Sequence, residues 1–63
     1  MSKIFADKQL LKDGVWYAVM YDTYDYGDYD MLEAKFDFYS QTLTLPDGSL
    51  LETDKAYSFA ELS

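Results

Sequence analysis

Three turn signals, each built on one of the chain's three glycines, punctuate these 63 residues: Lys12-Asp13-Gly14, Tyr26-Gly27-Asp28 and Pro46-Asp47-Gly48-Ser49. Asp-Gly is a strong turn dipeptide, because Gly accepts a positive φ and Asp bonds its local backbone. Between the turns lie strand-like runs. Val15 to Tyr21 opens right after a turn and carries Val15, Trp16, Tyr17 and Val19, all β-branched or aromatic. Met31 to Tyr39 alternates, with Ala34, Phe36 and Phe38 on one face and Glu33, Lys35, Asp37 and Tyr39 on the other. Thr42 to Leu45 and Leu50 to Thr53 flank the Pro-Asp-Gly-Ser turn and read as a hairpin. The Phe36/Phe38 and Leu43/Leu45 parities differ, so a bulge or bend is expected near Ser40-Gln41.

The ends are less regular. Gln9-Leu10-Leu11 is expected to pair with Val15 to Met20 across Lys-Asp-Gly; the alternative is a short helix capped by Ser2 and closed by Gly14. Ser58-Phe59-Ala60-Glu61 has the spacing of a capping box, which allows one C-terminal helical turn. The fold class that follows is mainly β. It is a small antiparallel sheet or half-barrel of four to five strands, with at most short helical turns, forming one domain over 1–63.

A chain this short buries only about 60% of its unfolded surface. With no Cys there is no disulfide, and with no His a zinc site is not expected. Eleven Phe and Tyr plus Trp16 supply the burial instead. Trp16, Leu43, Leu45, Leu50 and Leu51 are expected in the core.

Twelve acids stand against five lysines and no arginine, a net charge of −7. Nucleic-acid binders neutralise phosphate with Lys and Arg clusters, so direct DNA or RNA binding is disfavoured. An anionic membrane would also repel the chain. The N-terminus lacks the apolar run of a signal peptide, and no stretch approaches the ~18 apolar residues of a membrane-spanning helix. A cytoplasmic location is expected. The partner that suits this field is a basic, Lys/Arg-rich protein surface.

The acids are unevenly placed. Between Lys12 and Lys35 there are six, Asp13, Asp22, Asp25, Asp28, Asp30 and Glu33, and no base. Tyr21, Tyr24, Tyr26 and Tyr29 are threaded among them. Carboxylates accept hydrogen bonds from Lys and Arg, and tyrosine adds rigid contact area with a polar tip. The candidate partner-binding residues are therefore Asp22, Tyr24, Asp25, Tyr26, Asp28, Tyr29, Asp30 and Glu33. On a strand, Asp28 and Asp30 would share a face about 6.6 Å apart, against phosphates spaced ~3.4 Å along each strand of DNA. The plainer reading is an ordinary solvated hairpin loop, since Asp and Gly suit turns.

Two local resemblances carry less. Asp22 to Glu33 resembles an EF-hand loop in length and in the placement of Gly27 and Glu33. Tyr24 and Tyr26 stand where that family needs oxygen ligands, so no metal is expected. Tyr17-Ala18-Val19-Met20-Tyr21-Asp22-Thr23-Tyr24 resembles the Ala-Leu-Tyr-Asp-Tyr opening of SH3 domains, without their downstream tryptophan. Catalysis has little to work with. There is no His, no Cys, no triad partner for any serine and no Gly-rich phosphate loop, so no enzyme and no cofactor is expected.

In net charge, size and the Asp/Tyr run Tyr21 to Asp30, the chain resembles the small, acidic, Cys-poor inhibitors encoded by phages and mobile elements. These include DNA-mimic antirestriction proteins, anti-CRISPR proteins and inhibitors of uracil-DNA glycosylase. The resemblance implies occupation of a nucleic-acid-binding groove on a host defence or DNA-processing protein, in the host cytoplasm. The competing class is a non-enzymatic structural or accessory β-module that self-associates, as a homodimer, through its tyrosine-rich face.

Overall fold

The computed structural model describes residues 3–24 and 27–62. Six strands form one antiparallel sheet: β1 (Ile4–Phe5), β2 (Trp16–Tyr21), β3 (Asp30–Asp37), β4 (Thr42–Thr44), β5 (Leu50–Glu52) and β6 (Ala56–Glu61). Their order across the sheet is β1-β6-β2-β3-β4-β5. Two 3₁₀ turns, Lys8–Leu10 and Thr53–Lys55, are the helical segments among the described residues. The protein is thus mainly β. The chain ends supply β1 and β6.

The sheet must curl. Residues 53–55 join β5 to β6, which are separated by β4, β3 and β2. In a flat sheet those four steps of ~4.8 Å would hold them ~19 Å apart. Glu52 is also in register with Asp37 through Thr42, whereas Ala56 is in register with Asp30 through Tyr21. That adds a lengthwise offset of ~23 Å. Four Cα steps from Glu52 to Ala56 reach at most ~14 Å. Only a half-barrel brings the two strands within reach, with the crossing laid over its open side.

The concave face is the core. Tyr17, Val19 and Tyr21 of β2, Ala34 and Phe36 of β3, Leu43 of β4 and Phe59 of β6 are buried there with Leu11. Register fits large against small, with Tyr17 opposite Ala34. Phe5, Tyr17 and Phe59 form an aromatic cluster with ring centroids 5.7–6.3 Å apart. The Tyr17 phenol is satisfied inside it, because its oxygen accepts the Lys12 backbone N–H at 2.8 Å. That bond also pulls Leu11 down over the core.

Gly14 sets the entry to β2. The Gly14 N–H donates to the Phe36 carbonyl and the Phe36 N–H to the Val15 carbonyl, so two residues oppose one. With φ at +76°, Gly14 forms a glycine bulge that a side chain would strain. The bulge passes the chain from turn to strand in the register that turns Tyr17 inward.

Several expectations from sequence are corrected. Trp16 is not core. It lies on the convex face, 37% exposed, with the Lys35 ammonium 5.9 Å from its ring. The odd-numbered face of β2 wins because it matches Ala34, Leu32 and Phe59 on its neighbours. Leu50 is 66% exposed, since its register partner Thr44 also faces outward. Leu43 is buried, and Leu45 and Leu51 pack against the core as expected. β3 stops at Asp37, leaving Phe38 exposed in a turn over 38–41. There Asp13 and Asp37 accept the Phe38 and Tyr39 N–H groups, and Gln41 takes φ +58°. The turn supplies the bend expected here, and its four residues set Phe36 opposite Leu43 without a bulge, so the differing parities are those of an ordinary hairpin. The expected pairing of Gln9-Leu10-Leu11 with β2 does not form. That stretch is the first 3₁₀ turn, with Asp7 capping the Gln9 N–H at 2.9 Å. The C-terminal capping box is likewise strand β6, because pairing along β2 outweighs a single cap worth ~1 kcal/mol.

Phe59→Ala removes a fully buried ring and should cost about 3–5 kcal/mol, enough to unfold most of a domain this small. Leu50→Ala on the exposed edge should change stability by less than about 1 kcal/mol. Urea denaturation of the two variants checks the assignment of faces.

Candidate protein-binding surface

β2 and β3 are joined by eight residues, 22–29, where two to five usually suffice for a hairpin. The flanks are strands, so the EF-hand arrangement of two helices is not what frames this loop. Its base is tied in three places. Asp22 Oδ2 accepts the Gly27 N–H at 3.3 Å. The Thr23 hydroxyl donates to Asp30 Oδ2 at 3.1 Å. The Asp22 N–H donates to the Lys55 carbonyl at 3.1 Å, joining the loop to the crossing segment.

A fourth tie is aromatic. In β6, Ser58 pairs with Met20 and Ala56 with Tyr21, so Tyr57 is the extra residue of a bulge. The bulge presents an exposed Tyr57 ring to Tyr29, with centroids 4.9 Å apart and planes tilted by 38°. Offset pairs of this kind contribute about 0.5–1.5 kcal/mol beyond area burial. Tyr57 was missed in the sequence because the capping-box reading hid the strand. The signal was present: Tyr57, Phe59 and Glu61 alternate with Ala56, Ser58 and Ala60.

The structure gathers Asp22, Tyr24, Asp28, Tyr29 and Asp30 at one end of the half-barrel. Asp28 lies in the loop, because β3 begins only at Asp30; the two do not form a row along a strand. Glu33 is apart, on the convex face of β3 opposite Ala18. Asp25 and Tyr26 lie outside the described residues. Lys55, remote in sequence, enters this end through its carbonyl contact with Asp22.

The acids divide by task. Asp7, Asp13, Asp22, Asp37 and Asp47 each accept a backbone N–H and build turns. Asp28 and Asp54 make no hydrogen bond or ion pair among the described residues, and both are exposed. At the opposite end of the sheet, Lys12 and Glu61 approach to 3.9 Å, an exposed pair of little energetic weight. Asp47 is held below the ordinary carboxylate range by hydrogen bonds from the Ser49 backbone N–H and hydroxyl.

Among the described residues, cavities open at both ends of the half-barrel. One, about 270 Å³, is lined by Tyr21, Thr23, Leu32, Leu45, Leu51 and Lys55. The other, about 240 Å³, lies between Leu11, Phe36, Phe38 and Gln41, with Lys8 and Gln9 at its rim. Both fall below the ~300 Å³ typical of small-molecule sites. No group of three or more acidic side chains among the described residues is arranged to hold a metal ion. No helix among them is long and apolar enough to cross a membrane.

The chain matches no protein-family model, no curated protein and no solved structure.

Because the folded carboxyl of Asp47 is depressed, its contribution to stability is complete above the unfolded-state value and is lost as pH falls through the lower folded value. Asp47→Asn keeps an acceptor for the Ser49 N–H but cannot titrate. The wild-type advantage over this variant should be constant near neutrality and shrink on acidification below the ordinary carboxylate range. Urea midpoints of both proteins across an acid series measure it.

Proposed function

We propose that this protein is a small acidic inhibitor that binds a basic, nucleic-acid-binding surface of a host defence or DNA-processing protein. The observation that carries the reading is the pinned acidic-aromatic loop. Eight residues stand where a tight turn would do, and three hydrogen bonds tie the loop's base beside an exposed tyrosine pair. Ordering an exposed loop costs conformational entropy, and ordered loops on rigid scaffolds are where binding residues concentrate. Asp28 and Asp30 supply charge for Lys or Arg. Tyr24, Tyr29 and Tyr57 supply flat contact area between the charged pairs. The role is binding and not catalysis, needs no cofactor, and belongs in the cytoplasm where such targets work. Its charge speeds encounter with a basic partner, while its lack of arginine disfavours nucleic acid itself. The exposed Tyr29–Tyr57 pair also favours a second reading, an accessory module that self-associates through this tyrosine-rich end.

The test is affinity capture. Wild type and an Asp28→Asn/Asp30→Asn/Tyr57→Ala variant are immobilised separately, and a bacterial lysate is applied at low salt and eluted with a salt gradient. A single Asp→Asn change at a rim pair is worth only about 0–1 kcal/mol, which is why three changes are combined. Nucleic-acid-binding proteins should be retained on wild type, elute with salt, and leave the variant column at lower salt. Identical elution from both columns, or retention insensitive to salt, contradicts the proposal.

A further inference from the structure

A half-barrel with one core face ordinarily turns polar residues outward on the other. Here the convex face follows that rule on β3 and β4, with Glu33, Lys35, Asp37, Thr42 and Thr44, but not beyond them. Across β1, β6 and β2 its outward positions are Ile4, Ala60, Ser58, Trp16, Ala18 and Met20, and Ser58 alone is polar. Met31 of β3 extends the patch beside Met20. Ile4 is 72% and Met31 64% exposed, so these side chains are not folded back under anything. Charge is also distributed differently here. Where the patch meets β3 it carries one base and one acid, Lys35 opposite Trp16 and Glu33 opposite Ala18. In a chain of net −7, this strip is charge-balanced.

We propose that the convex face is the interface of a symmetric homodimer. The arrangement of the face selects a second copy over a basic partner. A basic surface would meet Lys35 as well as Glu33, and the purely acidic loop end would suit it better. A second copy meets its own complement. In a two-fold interface, residue i contacts j and j contacts i. Consider a two-fold axis lying between the sheets and running across the strands, midway between the Trp16/Lys35 row and the Ala18/Glu33 row. It lays β3 antiparallel over β3 of the second copy, subject to the ~30° angle that twisted sheets adopt when packed. Lys35 then faces Glu33 of the second copy, and Glu33 faces its Lys35. In the same operation Trp16 lies over Ala18 of the second copy, so the largest side chain of the face meets one of the smallest, twice. The axis also sends the two acidic loop ends to opposite ends of the dimer. β2 alone is about 17 Å long, so they are separated by more than the ~8 Å Debye length at physiological salt. An axis along the strands would set them side by side. The inference does not rest on the proposed inhibitor role, which uses the other surface.

The part of the strip that this axis lays on its own copy is about four strands wide, roughly 19 Å, and two outward residues long, roughly 7 Å, with Met20 and Met31 beyond the overlap. That is small beside the ~800 Å² that each partner buries in a standard interface, so a weak dimer is expected, dissociating in the micromolar range. Sedimentation velocity from about 5 to 500 μM tests it, at the upper end of the range where so small an interface should fill. Wild type should shift from 7.3 kDa toward twice that mass. Lys35→Glu should raise the dissociation constant at least tenfold, because Glu33 then meets a like charge. Glu33→Lys/Lys35→Glu should return it to within about threefold of wild type, because the reversed pair is again self-complementary. Trp16→Ala should weaken the dimer independently of charge. Circular dichroism confirms that each variant is folded. Wild type that remains monomeric throughout, or a double variant no better than Lys35→Glu, overturns the proposal.

Discussion

Val19 and Phe59 lie opposite one another where β6 pairs with β2, and both are buried completely. β6 follows all the other strands in sequence, yet it inserts one place in from the edge of the sheet, between β1 and β2. Without it, β2 to β5 are a meander with one edge of its core open to water. With it, the aromatic cluster of Phe5, Tyr17 and Phe59 closes, and β1 gains the partner it needs to be a strand of only two residues. Burying a ring such as Phe59 contributes about 1.5–3 kcal/mol, a large share of the stability available to 63 residues. The fold therefore depends on a non-local pairing. The crossing at 53–55 makes that pairing possible by curling the sheet.

The same pairing builds the candidate binding end. The β6 bulge follows directly on the crossing and leaves Tyr57 out of register. That residue meets Tyr29 of the acidic loop, while the Lys55 carbonyl takes the Asp22 N–H. The base of the loop is thus tied to the segment that closes the core. Four of the molecule's nine aspartates need no functional explanation, since Asp7, Asp13, Asp37 and Asp47 serve turns elsewhere. What turn building leaves over is a short list centred on Asp28, with Asp30 and the tyrosines around it. A partner reading this end would meet a few charges on an aromatic platform, not a long row of carboxylates.

Much of the fold was legible because its signals are local. The Asp-Gly and Pro-Asp-Gly turns, the alternation of β3 and the parity change before β4 each state their own geometry. Trp16 was not legible. Every residue from Val15 to Tyr21 is apolar or aromatic, so alternation cannot say which half faces inward; only pairing with Ala34 and Phe59 decides. Leu50 and Phe38 misled for a related reason, being hydrophobic residues whose strand register or turn position keeps them outside. β6 was hidden by a competing local signal, the Ser58-to-Glu61 capping spacing, which is overridden by long-range pairing. Of the candidate site, the acidic-aromatic composition could be read directly. Its separation from Glu33, the arrival of Lys55 and the contribution of Tyr57 are tertiary facts.

The two unusual surfaces of this small sheet are proposed to make different contacts, the charged loop end with a basic partner and the balanced apolar face with a second copy. In the proposed role the loop end competes with nucleic acid for the same groove. The most direct measurement is the association of the protein with a captured nucleic-acid-binding partner, followed in real time with increasing duplex DNA. Binding should be mutually exclusive: DNA should raise the apparent dissociation constant for this protein in proportion to its own occupancy of the partner. A ternary complex, with protein binding undiminished at saturating DNA, would contradict it.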